Sequence, residues 1–278
     1  MIRLLLDSAS DFPAEKCDAL GIEMIPMHIM LGDQEHLDGV TLKKDALYRF
    51  LAENKEVPKT SQPSPHAFQR IFEKVRDCGD EMICILLSSR LSGTFQSASM
   101  AKEICGYEKI YLIDSLSVSV PIALLAEQAL LLRGKGMSAA EIVRALESMK
   151  SRIRLIAGLD TLEYLARGGR MPKAAALLGS TFRLKPLITL ENGKAALCDK
   201  QIGRIRAMDA ILQRLRQDPP AAGSALYPLY SDGEKNCLQL ERKLLEAGYS
   251  LEMRTQIGAA IGVHVGPGAY GVAYLAEK

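Results

Sequence analysis

Five short segments of the 278-residue chain concentrate side chains able to hold an anion: Asp7-Ser8-Ala9-Ser10-Asp11, Thr60-Ser61-Gln62-Pro63-Ser64, Ser88-Ser89-Arg90-Leu91-Ser92-Gly93-Thr94, Asp114-Ser115-Leu116-Ser117 and His264-Val265-Gly266-Pro267-Gly268. The third leads from an apolar run into a helical pattern. Ser92 or Thr94 reads there as an N-cap, and the free backbone N–H groups of such a helix start form an anion site. The same hydroxyls would serve a helix start alone, and the two readings stand even. Ser64 before Pro65 likewise reads as an N-cap with proline in the first helical position.

Two charged groups stand beside glycines. Arg170 follows Gly168-Gly169 and suits an anion contact; taken alone, a solvated arginine after a helix C-cap is the better reading. His264 is one of four histidines and lies in what reads as a glycine-rich turn. A lone histidine is more often structural than chemical.

Missing motifs narrow the chemistry. The chain has no G-x-x-x-x-G-K-[ST], no G-x-G-x-x-G after its first strand, no G-x-S-x-G and no H-E-x-x-H. Apart from Lys59 beside Thr60, the hydroxyl loops have no adjacent lysine, which suits a weakly charged head group such as one carboxylate. They suit a triphosphate poorly, because that much charge recruits cations and metal. An enzyme acting on a small carboxylate or acyl phosphate, with His264 as acid or base, is the competing class of function.

The elements that must position these groups follow from periodicity. The first half alternates strand patterns (2–6, 23–31, 82–87, 109–113) with helical ones (12–20, 43–53, 96–104, 122–133, 139–150). Such alternation predicts a mostly parallel sheet with helices on its faces, and ligands bind at the carboxyl ends of such strands. After about residue 150 a second unit is expected: a strand at 154–159, a short helix at 161–166 stopped by Gly168-Gly169, and strands at 184–190 and 195–199. The Asn192-Gly193 turn makes the last two antiparallel. A helix at 205–216, a strand at 225–230, a helix at 234–247 and a strand at 250–256 complete it. The expectation is an α/β protein of two α/β domains, 1–150 and 151–278, with a mixed sheet in the second.

Composition sets the outer limits. The net charge of +2, with no tryptophan, gives no electrostatic or stacking argument for nucleic acid. Six scattered cysteines without C-x-x-C or zinc spacing point to a reducing cytoplasm rather than a disulfide framework or metal site. The N-terminus turns polar at Asp7, too soon for a signal peptide, and the best internal apolar run, 118–126, is far short of the ~20 residues that span a bilayer. Stable membrane insertion is not expected.

In this order, LDSASDFP, TSQPSP, LSSRLSGTFQSA, LIDSLSVS, LDTLEYLARGGRM, LLGSTFRLKPLITLENGK and IGVHVGPGAYGVAY closely resemble the DegV family across nearly the whole chain. The resemblance implies two α/β domains with a long-chain fatty acid between them and no further cofactor. It also implies a role as the subunit that presents the fatty acid to an ATP-binding kinase partner, yielding an acyl phosphate, rather than as an enzyme alone. A lipid carrier or sensor without a kinase is the alternative. Carried over by motif, Thr60 and Ser92 would hydrogen-bond the carboxylate and His264 would lie close to it. Ser61, Gly93 and Thr94, on the same loops, and Ser115 of the Asp114–Ser117 segment join the ligand-binding candidates. Arg170, with Arg204 or Arg206, would face the kinase or the transferring phosphate. The chain departs from the pattern at Pro121 and Ala123, where the family shows glycines, and at Ala259, where proline is common. The extra atoms at 121 and 123 are expected to narrow the acyl tunnel or alter the helix start.

Overall fold

The computed structural model describes all residues but 55, 57, 173–182 and 278. The first six residues of the LLGSTFRLKPLITLENGK motif therefore lie outside the described residues.

The apolar runs of the first half form the parallel strands β1 (Ile2–Asp7), β2 (Ile22–Ile25), β6 (Glu81–Leu86) and β7 (Ile110–Asp114), ordered β2-β1-β6-β7. Their runs are unbroken because both faces are covered. Leu5, Met82, Cys84 and Leu86 pack with Phe68, Phe72, Ala98 and Ala101, from α3 (Pro65–Asp77) and α4 (Thr94–Cys105). Their neighbours Leu4, Leu6, Ile83 and Ile85 pack on the opposite face with α5 (Val120–Gly134) and α6 (Ala139–Lys150). The start of α6 is a capping box: Ser138 Oγ accepts the Glu141 N–H, and the Glu141 carboxylate accepts the Ser138 N–H.

Residues 23–31, expected as one strand, are divided. Pro26 lies between β2 and β3 (His28–Leu31), and a proline cannot donate to a continuing ladder. With β4 (Gln34–Leu37) and β5 (Lys59–Ser61), β3 makes a small antiparallel sheet, ordered β4-β3-β5. The other α-helices before residue 150, among the described residues, are α1 (Ala14–Leu20) and α2 (Lys44–Glu53).

All strands of the third sheet lie beyond residue 150. It is mixed and ordered β10-β9-β8-β13-β11-β12, from β8 (Ile153–Gly158), β9 (Leu184–Glu191), β10 (Lys194–Ile202), β11 (Tyr227–Tyr230), β12 (Thr255–Gln256) and β13 (Tyr270–Leu275). The β9–β10 turn is as expected, with Asn192 at φ 48° and Gly193 at φ 77°. The strand expected at 250–256 shrinks to β12 plus a bridge at Leu251. One face of this sheet, with Tyr270, Val272 and Tyr274, packs against α8 (Arg204–Gln217) and α9 (Lys235–Glu246). Its other face contributes Leu229 and Ala273 to the cluster that also holds α5, so one hydrophobic core runs across both sheets. Among the described residues, two short helices, α7 (Glu163–Arg167) and α10 (Ala259–Val265), complete the set. No helix among the described residues is long and apolar enough to cross a membrane.

Candidate functional site

A cavity of about 840 Å³, its open mouth included, lies where the mixed sheet meets the loops of the first half. Leu155, Ala157 and Leu159 line it, alternate residues that share one face of a strand. Four residue steps at about 3.3 Å each give this wall a length of roughly 13 Å. Ile188 and Leu190 of β9 and Ala195 of β10 extend the apolar surface, with Leu87, Leu91 and Val118 from the first half. Ala260, Ile261, His264 and Val265 come from one face of α10, at the spacing that puts helical residues side by side.

Polar groups gather at Thr60, Ser61, Gln62, Ser92, Arg170 and His264. Thr60 Oγ1 lies 2.9 Å from His264 Nε2. The other ring nitrogen, Nδ1, is buried without a hydrogen-bond partner among the described residues. It faces Gly168, where a β-carbon would come within 2.2 Å of it, so only glycine fits there. A proton on Nδ1 would be a buried orphan donor, the rarest and costliest kind of unpaired group. The proton is therefore assigned to Nε2, which donates to Thr60 Oγ1. That leaves the Thr60 hydroxyl proton free to donate into the cavity. Burial, and secondarily the Arg170 charge, lower the His264 pKa to about 4, so the ring is neutral at neutral pH.

Arg170 is half-buried and anchored: its Nε donates to Leu91 O at 3.0 Å and its Nη1 to Gly168 O at 2.5 Å. It is thus more than a solvated arginine after a helix. With Leu91 and Ser92 it lines both the cavity and an adjoining surface cleft that holds Ser89, Arg90, Gly93, Gln96 and Asp114. A fixed cation between an apolar cavity and an open cleft favours an anion at that end.

The sequence-derived candidates divide. Thr60, Ser61, Ser92, Arg170 and His264 line one cavity. Gly93, Thr94 and Ser115 do not. Gly93 is the N-cap of α4 and makes no side-chain cap, correcting the expectation that Ser92 or Thr94 occupies that position. Ser92 Oγ instead accepts the Thr94 N–H at 3.3 Å, and the Thr94 hydroxyl lies 2.9 Å from Ser92 Oγ and 3.4 Å from Met27 Sδ. Ser115 is buried, its hydroxyl turned to the Ser117 backbone. Arg204 is paired with Asp160 at 2.9 Å and Arg206 is exposed on α8, both outside the cavity lining. His264 sits in the last turn of α10 rather than in a loop. Ser64 caps α3 as expected, accepting the Ala67 N–H at 3.2 Å.

Pro121 and Ala123 do not line the cavity, so neither supplies an atom to narrow it. Pro121 sits in the first turn of α5, where its missing N–H costs nothing. Sequence reasoning missed the wall residues of β8, β9 and β10. It also missed two buried carboxylates, Asp11 and Asp38, that meet the start of α10. Asp11 was visible only as one acid in a polar loop.

The fold and the site together define a layered α/β protein with an apolar cavity closed at one end by hydroxyls, a neutral imidazole and a guanidinium. The chain belongs to the DegV family, a family of uncharacterised proteins whose model matches residues 1–277. It is 33% identical to a DegV domain-containing protein of Caldanaerobacter subterraneus subsp. tengcongensis, covering 100% of this chain and 99% of that one. It is 29% identical to a protein of Thermotoga maritima named fatty acid-binding protein, over 100% of this chain and 99% of the other. Among solved structures, it resembles one described as fatty acid binding of a DegV family protein from Thermus thermophilus, with a TM-score of 0.91, 30% identity and 99% of both chains covered.

Proposed function

We propose that the chain binds one long-chain fatty acid, its carboxylate at Thr60 and Ser92 and its acyl chain along the β8–β9 wall. The observation that carries this reading is the Thr60–His264 pair, a hydroxyl with its proton free, at the polar end of a cavity whose remaining wall is mostly apolar. Burying a C16 chain at about 0.8 kcal/mol per CH₂ supplies on the order of 10 kcal/mol, enough for tight retention after the costs of association. The relatives described as fatty acid-binding support the same ligand class.

The finer reading is presentation of the bound acid to an ATP-binding kinase partner. Arg170 stands at the boundary between cavity and outer cleft, where a phosphoryl group would have to approach the carboxylate. The partner would supply ATP and Mg²⁺; the carboxylate oxygen attacks the γ-phosphorus, ADP leaves, and an acyl phosphate forms. His264 is poorly suited to be a general acid, because it is neutral at the working pH and its Nε2 is committed to Thr60. That favours binding over catalysis by this chain alone.

Native mass spectrometry of freshly purified protein tests the reading and is expected to show a bound species of fatty acid mass. A uniformly ligand-free protein that also takes up neither palmitate nor oleate would overturn it. Phosphorylation of the bound acid only when a kinase is added would support presentation; none with any ATP-binding partner would leave a carrier or sensor.

A further inference from the structure

The helix that carries His264 is held at its start by two carboxylates from the other half of the sequence. Asp11 Oδ1 accepts the Gly258 N–H at 2.7 Å. Asp38 accepts the N–H groups of Ala259 and Ala260, at 3.2 Å and 3.3 Å. A helix start leaves such donors without intrahelical partners, and here carboxylates 247, 221 and 222 residues away take them up. Negative charge is also favourable at that end of a helix.

Both carboxylates are themselves fixed. Asp11 has a left-handed backbone, φ 53°, and accepts the Ser119 hydroxyl. Ser119 in turn is held at φ 56°, its N–H on Ala9 O at 2.7 Å. Asp38 is tied to the residue just before β3 through its own N–H on Met27 O at 2.9 Å. The charged and titratable neighbours are Asp7, Lys44 and Tyr48. The Lys44 ammonium donates to Gln256 O and the Tyr48 hydroxyl to Ile257 O, both on the segment entering the helix. Both acids are at least nine-tenths buried, at 7% and 5% exposure.

Holding α10 at its first residues fixes the direction in which the rest of it projects. His264 and the cavity-lining Ala260, Ile261 and Val265 all ride on that seven-residue helix. We propose that Asp11 and Asp38 are positioning residues for the ligand site: they clamp α10 so that His264 meets Thr60 and the cavity wall stays closed. The proposal rests on the fatty acid reading for its ligand, though not for its geometry.

Asp11→Asn and Asp38→Asn keep the side-chain volume and one oxygen. A third variant, Gly258→Ala, disturbs the clamp from the helix side without touching a carboxylate, because its β-carbon would lie 2.6 Å from Asp11 Oδ1. Ser138→Ala, which removes the cap of the distant α6, is the control for a general loss of stability. Two quantities are read on the full-length chain: the ¹⁵N-NMR titration midpoint of the His264 ring and the rate at which bound palmitate transfers to albumin. In each clamp variant the midpoint is expected to rise by about one unit or more as the ring gains solvent. The palmitate off-rate is expected to rise roughly tenfold or more, with neither quantity moving in the control. Clamp variants that lose melting temperature like the control, with His264 midpoint and off-rate unchanged, would overturn the proposal. A wild-type protein that takes up no palmitate would strike the functional reading instead, and the His264 midpoint alone would then decide the clamp.

Discussion

Thr60 and His264, 204 residues apart in sequence, meet at 2.9 Å at the polar end of the cavity. Neither residue type is unusual. Their meeting depends on β5 pairing with β3, which places Thr60 opposite Ile29, and on α10 packing beside that small sheet. The hydroxyl is turned into a committed donor by a neutral imidazole whose other nitrogen, packed against Gly168, has no hydrogen-bond partner among the described residues.

Removing either head-group hydroxyl weakens binding in proportion to the hydrogen bond lost. Thr60→Val and Ser92→Ala are each expected to cost about 1–3 kcal/mol of fatty acid affinity, since the acceptor is charged. Thr60→Ser retains most of it. Competition against a fluorescent fatty acid measures all three, and wild-type affinity in Thr60→Val would remove Thr60 from the site.

Arg170→Ala and His264→Ala divide from those variants. Arg170 lies at the mouth and His264 behind Thr60, so both spare binding more than they spare phosphorylation by an added kinase. Paired measurements of affinity and acyl phosphate yield check this, and equal loss of binding in all four variants contradicts the division.

His264 stays neutral across the physiological range. Its pKa is lowered by burial to about 4, so its ring resonances should not titrate between pH 8 and 5 and should move only below that. A midpoint near the ordinary ~6.5 would show an accessible ring and undo the assigned proton on Nε2.

Gly168→Ala tests the packing behind that ring. The new methyl would sit 2.2 Å from His264 Nδ1, and overpacking of this kind costs about 1–3 kcal/mol. The expected signature is a shifted His264 resonance with weakened fatty acid binding, read by NMR and the same competition assay. An unperturbed ring would mean that α7 gives way instead.

The second half of this site was only partly legible in the sequence. Periodicity made α6 legible over 139–150, and Asn192-Gly193 announced the β9–β10 hairpin, because both signals are local. Tyr270–Leu275 was hidden: its glycine-rich approach reads as a turn, yet it is a central strand between β8 and β11. His264 was read in the same supposed turn, since a seven-residue helix with a glycine inside shows too little periodicity to declare itself. The contacts of Asp11 and Asp38 with α10 exist only once both halves pack.

Buried Asp7 gives stability a pH dependence of predictable sign. Desolvation raises its pKa from 3.8 to about 7, although its carboxylate accepts the Leu87 and Ala9 N–H groups. Between those values the folded chain holds a proton that the unfolded chain has released, so this group makes the protein more stable as pH falls from about 7 towards 4. His264, with its lowered pKa, acts oppositely between 6.5 and about 4. Denaturant unfolding of wild type and Asp7→Asn isolates the aspartate: the substitution should remove up to ~1.4 kcal/mol per pH unit of that slope. Parallel pH profiles would show that Asp7 is ionised throughout.

The most direct measurement is a crystal structure of the protein grown with saturating palmitate. The account predicts electron density for one extended acyl chain along Leu155, Ala157 and Leu159, with a carboxylate oxygen at hydrogen-bond distance from both Thr60 Oγ1 and Ser92 Oγ. A carboxylate seated elsewhere, or a cavity left empty beside an unliganded Thr60–His264 pair, would contradict it.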